Sequence, residues 1–210
     1  MKNQDIKFPF LISGKIGNVV GRVINGKQFF SKMPTPRKRK PTIRELQVRQ
    51  NMTLASHFLK KLVPIVRKYD EPNGNKGYHK AMSHILRNAI QGSHPDQRIE
   101  FSQVVLGNGS PLNPGTYHVE SPAKGLLEFT WSLELLKRKQ SKFDRIFTVA
   151  YCEMKHEFCY ELSGAERRER KFLMDVSCFS GQRIEVWFGF ESFDTSLVST
   201  SIYAGSINVL

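Results

Sequence analysis

Acidic residues are scarce in the part of the chain where basic ones are most abundant. Residues 1–98 hold 5 Asp and Glu against 20 Lys and Arg, whereas residues 99–210 hold 14 against 12. The result is a formal net charge of +13 and a pI near 9.8, and its confinement to one half argues against a uniform solubility effect. A surplus of this size favours a polyanionic partner, either nucleic acid or an acidic surface. Cysteine is also scarce. Cys152, Cys159 and Cys178 are odd in number and lack CxxC spacing, which points to reduced thiols in an intracellular, cytoplasmic protein rather than a disulfide framework. In an exported protein, Cys152 and Cys159 would be spaced to face each other across a hairpin. The early apolar run Phe8–Ile12 is broken by Pro9 and too short for a signal sequence. No stretch reaches the length of a membrane span, so no membrane partner is expected.

Motifs of catalysis and metal binding are missing as well. His57, His79, His84, His94, His118 and His156 are scattered, and no set of His, Cys and carboxylates has zinc spacing. Gly109-Ser110-Pro111 lacks the following glycine of a nucleophile elbow. Gly21 to Gln28, GRVINGKQ, comes within one residue of a phosphate-binding P-loop, but Gln28 stands where a hydroxyl must hold magnesium. A P-loop also opens a helix, whereas Gln28-Phe29-Phe30 continues a strand. The expectation is a non-enzymatic protein without metal or cofactor.

What the sequence does contain begins with a leader strand, Ile6, Phe8 and Phe10 alternating in period two. Lys15 to Ile24 and Lys27 to Met33 then flank Asn25-Gly26, the dipeptide suited to a type I′ hairpin turn. Gly14, Gly17 and Gly21 in or before the first arm predict a bulge or a close backbone approach. Pro34, Pro36 and Pro41 bracket Arg37, Lys38, Arg39 and Lys40, an arm that should be extended and solvated when free. Thr42-Ile43-Arg44-Glu45 fits a capping box, so a helix follows to about residue 68, its apolar face made by Leu46, Leu54, Phe58, Leu62 and Ile65 and widened by Met52. Pro64 should kink or shorten it. A second helix is expected from Tyr78 to Gln91, with Gly92 just past its end.

After Pro95 short strand-like runs take over: Ile99–Leu106, Thr116–Glu120, Gly125–Leu135, Phe143–Cys152, Phe158–Leu162, Lys171–Val176, Arg183–Ser192 and Val198–Val209. In Leu127, Phe129 and Trp131, and again in Ile184, Val186 and Phe188, apolar residues alternate to give a buried face. The cluster Arg167, Arg168, Arg170 and Lys171 is interleaved with Glu166 and Glu169 and reads as a solvated edge. The expected fold class is α+β: an N-terminal β-hairpin plus two helices in a basic module, residues 1–98, followed by an antiparallel β-sandwich, residues 99–210.

The opening GKIGNVVGRVINGK, with the basic turn and Gln47-x-Arg49 entering a helix, resembles an uncharacterised domain-of-unknown-function family of Bacteroidota, as does the ending VWFGFES…VSTSIYAGSINV. The same Gly-Lys-x-Gly opening is similar to small proteins of phage-like gene clusters, which implies an assembly role. The C-terminal half resembles fibronectin type III and immunoglobulin-like modules in architecture, without the immunoglobulin cysteine pair. The strongest functional candidate is nucleic-acid binding by Arg37, Lys38, Arg39 and Lys40, supported by Lys27, Lys32, Arg44 and Arg49, through phosphates and with little sequence specificity. Phe29 and Phe30 point to opposite faces of a strand, so one is free to stack on bases while the other enters a core. The alternatives are a solvated linker, a nuclear import signal in PRKRK, or a virion-like or oligomeric component whose hairpin and arm reach a neighbouring subunit or another protein partner.

Overall fold

The computed structural model describes residues 11–35, 39–68, 76–107, 109, 114–133, 140–194 and 198–210. The leader strand expected around Ile6, Phe8 and Phe10 lies outside them. The chain divides into two compact units, Met1–Thr42 and Ile43–Leu210.

In the first unit the strands β1 (Gly14–Ile16), β2 (Val19–Ile24) and β3 (Lys27–Lys32) form an antiparallel meander in that order. Asn25 and Gly26 sit at φ 51° and 74°, the paired positive values a type I′ turn needs, and they set Ile24 opposite Lys27. The long first arm expected from Lys15 to Ile24 is in fact two strands. Gly17, at φ 58°, makes a second tight turn with Asn18 that pairs Ile16 with Val19. Gly21 meets the expected close backbone approach: a Cβ there would lie 2.7 Å from the Ile12 carbonyl oxygen.

The second unit opens with α1 (Ile43–Lys60), which begins directly after Thr42, followed by α2 (Val63–Lys68) and α3 (Lys76–His84). Pro64 divides the expected long helix into α1 and α2. It sits in the first turn of α2, where its missing N–H costs no hydrogen bond. α3 passes into a π-turn over Ile85–Ala89, and the chain then pairs β4 (Ile90–Gln91) with β5 (Arg98–Ile99). The second helix therefore stops before Gln91. Three α1 residues fasten the intervening loop: Gln50 Nε2 donates to the Pro95 carbonyl at 2.6 Å, and Gln97 Nε2 donates to the Gln47 carbonyl at 3.1 Å and to Asn51 Oδ1. The run Ile99–Leu106 is not one strand, because a 3₁₀ turn over Phe101–Gln103 carries Phe101 toward Phe58, Tyr151 and Trp187.

Seven further strands make two antiparallel sheets: β6 (Tyr117–Glu120), β7 (Leu126–Trp131), β8 (Arg145–Cys152), β9 (Glu157–Glu161), β10 (Lys171–Asp175), β11 (Arg183–Glu191) and β12 (Ile202–Asn208). One sheet has the order β10-β7-β6, the other β12-β11-β8-β9. Alternate residues of β8 and β11 point to opposite faces, and both faces are buried. On one face Ile146, Ala150, Ile184, Val186, Phe188 and Phe190 meet Leu127, Phe129 and Trp131 of the three-stranded sheet. On the other, Phe147, Val149, Tyr151 and Trp187 meet Phe58, Leu59, Leu62 and Ile85 of the helical layer. Trp187, fully buried, lies 6.5 Å from Phe58 and 6.2 Å from Phe101 between ring centroids. The helices thus share a core with the sheet they cover, across the change of sequence grammar near residue 98. Met52, expected on the buried face of α1, is exposed, as are Ile43 and Val48.

Candidate functional site

Across an antiparallel pair, residues directly opposite share a face, and the next pair shares the other. The registers Ile24↔Lys27, Arg22↔Phe29 and Val20↔Ser31, with Lys15↔Val20, therefore place Lys15, Arg22, Lys27, Phe29 and Ile24 on one face of the meander. Gly21↔Phe30, Val19↔Lys32 and Val23↔Gln28 define the opposite face. That second face is occupied at its centre. Gln28 Oε1 accepts the Ile12 N–H at 2.8 Å while its Nε2 donates to the Ile12 carbonyl at 2.7 Å, so one side-chain amide serves as a strand partner for the preceding chain. The Phe30 ring would lie 3.3 Å from a Cβ on Gly21, close against the same glycine that Ile12 crosses, yet it stays 44% exposed, so neither Phe29 nor Phe30 enters a core as the sequence suggested.

The first face stands open: Lys15, Arg22, Ile24, Lys27 and Phe29 are all exposed, the Phe29 ring at 49%. Among the described residues no carboxylate pairs with Lys15, Arg22, Lys27 or Lys32. The reason lies in the sequence, because residues 11–42 contain eight Lys and Arg and no Asp or Glu.

The predicted cations are thus sorted by the fold. Lys27 and Lys32 belong to the meander but lie on opposite faces. Arg39 and Lys40 of the arm are exposed, and Arg37 and Lys38 lie outside the described residues. Arg44 and Arg49 belong to the second unit, exposed on α1 and five residues apart, about 140° of helix rotation. Lys15 and Arg22 were not singled out by the sequence, although counting outward from the Asn25-Gly26 turn places Arg22 beside Phe29. The near P-loop, Gly21 to Gln28, runs through β2, the turn and β3 without a helix.

Other clusters resolve into structural roles. Arg167, expected on a solvated edge, is buried: its Nε meets Asp144 Oδ2 at 3.3 Å, its guanidinium stacks 3.9 Å from the Phe190 ring centroid, and its carbonyl accepts the Trp131 indole N–H at 2.8 Å. Arg168 and Lys171 pair instead with Glu166 and Glu128. A cleft of about 680 Å³ opens between the edge strands β9 and β10, with Cys159, Glu161, Glu169 and Asp175 among its lining. Its carboxylates are engaged with the backbone: Glu161 Oε1 accepts from Leu162 N, Glu169 Oε1 from Glu166 N, and Asp175 Oδ1 from Ser177 N at 2.8 Å. The Ser177 bond holds the Asp175 carboxyl below its ordinary value. Burial first, then the neighbouring Cys178 and Asp175, pushes the Cys159 thiol up to about 11, which keeps it protonated and a weak nucleophile near neutral pH. All three cysteines are free thiols. Among the described residues no three His, Cys, Asp or Glu side chains gather as metal ligands, and no helix is long and apolar enough to cross a membrane.

A family model described as "Family of unknown function (DUF6266)" matches residues 11–205. The chain belongs to that family. The DUF6266 match takes in the meander, the arm, the helices and both larger sheets as far as residue 205, within β12. No curated protein and no solved structure matches the chain.

Proposed function

We propose that this DUF6266 chain is a non-enzymatic, cytoplasmic nucleic-acid-binding protein whose basic meander and arm contact phosphates with little sequence specificity. The supporting observation is the stretch of residues 11–42, with eight cations and no acidic residue, which presents Lys15, Arg22 and Lys27 on an exposed sheet face without a carboxylate partner among the described residues. Cations without internal partners lose no ion pair when they meet phosphate, and each phosphate neutralised releases counterions. On this reading the two larger sheets form a fibronectin type III-like sandwich that serves as a rigid body, and the Gly-Lys-x-Gly opening, with Bacteroidota as its setting, marks the family's contact device. Arg37 to Lys40 extend the contact along the backbone, and Arg44 and Arg49 add charge at the start of α1.

The test is fluorescence anisotropy of the full chain on mixed-sequence oligonucleotide across a salt series. The logarithm of the affinity should fall linearly with the logarithm of salt, by about 0.7 to 0.9 per phosphate contacted. Changing Arg37, Lys38, Arg39 and Lys40 together to Ala should make that slope shallower. Absence of binding at moderate salt, or an unchanged slope in the variant, overturns the proposal.

One observation favours a second reading, assembly into an oligomer or onto another protein. Among the described residues β1 and β3 each pair on one side only, and Ile16 of β1 and Val23 of β2 are exposed, a pattern suited to strand addition. Light scattering separates the two readings, since this one requires a mass above the monomer that rises with concentration.

A further inference from the structure

We propose that the open face of the meander, bearing Lys15, Arg22, Lys27 and Phe29, is a binding platform for single-stranded nucleic acid, with a base stacked on the Phe29 ring. The proposal rests on the phosphate-contact reading above and adds to it the strand state of the ligand and the face that holds it. Three observations carry it.

The register places Phe29 directly opposite Arg22 and two residues along from Lys27, on one face, so an aromatic ring is flanked by two cations within a single layer of side chains. The other face is crossed at its centre by Ile12, held by both polar atoms of the Gln28 amide; Phe30 on that face stays 44% exposed, but its strand partner is Gly21 and not a cation. Phe29 and Ile24 on the open face expose 49% and 52% of their surface among cations that have no carboxylate partner in the described residues.

A duplex offers this face only phosphates, because its bases are stacked on one another and turn their π-surfaces inward. It would leave Phe29 and Ile24 facing solvent or sugar. A single strand supplies both kinds of group at once: phosphates for Lys15, Arg22 and Lys27, and an unstacked base for the ring. Every base has a π-face, so the platform is tolerant of sequence, in agreement with the lack of any base-reading motif. Arg22 beside the ring adds a guanidinium plane against which a base can also lie.

The experiment compares one mixed-sequence DNA oligonucleotide as a single strand and as its duplex, by anisotropy on the full chain, for wild type, Phe29→Leu, Phe29→Trp, Phe30→Leu and Lys15→Ala/Lys27→Ala. Leucine keeps apolar bulk on the strand and removes the π-face, and tryptophan restores it. Wild type should bind the single strand more tightly than the duplex. Phe29→Leu should weaken single-strand binding by about 5- to 100-fold without changing the salt slope, and Phe29→Trp should recover it. Phe30→Leu, on the face that Ile12 crosses, should leave affinity within about twofold, since Phe30 lies opposite Gly21 and not beside the Arg22 and Lys27 pair. The double lysine variant should lower the single-strand slope by about 1.4.

Equal or tighter duplex binding, or an unchanged affinity in Phe29→Leu, overturns the platform while leaving phosphate contact standing. An absence of binding to either form at low salt removes both. Loss of binding in Phe29→Trp as well as in Phe29→Leu also counts against the platform, because a ring in that position should suffice.

Discussion

Phe29 and Phe30 are adjacent and chemically identical, yet the fold gives them different surroundings. Strand alternation sends one toward Arg22 and Lys27 and the other toward Gly21, where the chain around Ile12 crosses. The sequence shows that they must point apart; it does not show which side Ile12 crosses, because that depends on Gln28 bonding a residue 16 positions away. Arg167 makes the converse point. Its charged neighbours suggest a solvated edge, but the residue is 2% exposed against an Asp144 that is fully buried. Burial lowers the Arg167 pKa and the Asp144 carboxylate opposes that shift, as expected for a cation removed from water and kept charged by its partner. Removing one member of such a pair leaves the other uncompensated. Asp144→Ala should therefore destabilise the chain by about 3–5 kcal/mol, seen as a lower urea midpoint with an unchanged m-value. A midpoint within error of wild type would mean that the pair is not holding the turn at Arg167–Glu169 to β8.

At the scale of elements, the tight turn at Asn25-Gly26 was legible, and so were the start of α1 after Thr42 and the break at Pro64, because each depends on chemistry local to a few residues. Most strands of the two larger sheets were also legible within a residue or two, since turn signals bound them. The second turn at Gly17-Asn18 was not. Gly17 is one of three glycines spaced through a stretch of β-like residues, and a bulge or a close approach would explain the same spacing. Ile99–Leu106 reads as a strand but is not one for a related reason: Phe101 packs against the helical layer's core, and tertiary packing there overrides strand propensity. The Gln28 side chain ties the chain at Ile12 to the meander. Gln28→Ala should raise the hydrogen-exchange rate of the Ile12 amide by about 5- to 10-fold, the loss expected from about one net hydrogen bond, while amides of β2 and β3 keep their protection. Unchanged exchange at Ile12 would show that the amide clamp contributes little in solution.

For the whole molecule, the sequence conveyed an α+β chain with antiparallel sheets and a cationic N-terminal part. It did not convey that one sheet is buried on both faces. The alternation in Arg183–Ser192 accounts for Ile184, Val186 and Phe188, but Trp187 and Phe147 on the other face are buried only because helices from far earlier in the chain lie over them. That burial has a titration signature. Burial pushes the Tyr151 phenol up to about 12, with Glu153 and Cys152 adding to the shift, and burial with the bond to Glu185 raises Tyr203 further. The Cys159 thiol is raised in the same direction. Each group holds its proton more tightly folded than unfolded, so the unfolded chain binds fewer protons once pH passes the ordinary values of 9.0 for the thiol and 10.0 for the phenols. Stability should be intact below about pH 9 and fall as pH rises from there toward 12, read as a decreasing urea midpoint; a midpoint flat across that window would contradict the burial assigned to these groups.

The most direct test of the central claim, that the open face of the meander meets nucleic acid, is lysine footprinting. The full chain is acetylated with and without saturating single-stranded oligonucleotide, and each site is read by mass spectrometry. Lys15 and Lys27 should be protected together with the arm lysines, while Lys32, on the opposite face of the meander, and Lys155, in the second unit's β8–β9 turn, should label at the same rate in both samples. Labelling of Lys15 and Lys27 that is unaffected by the oligonucleotide, or protection confined to lysines of the second unit, would contradict it.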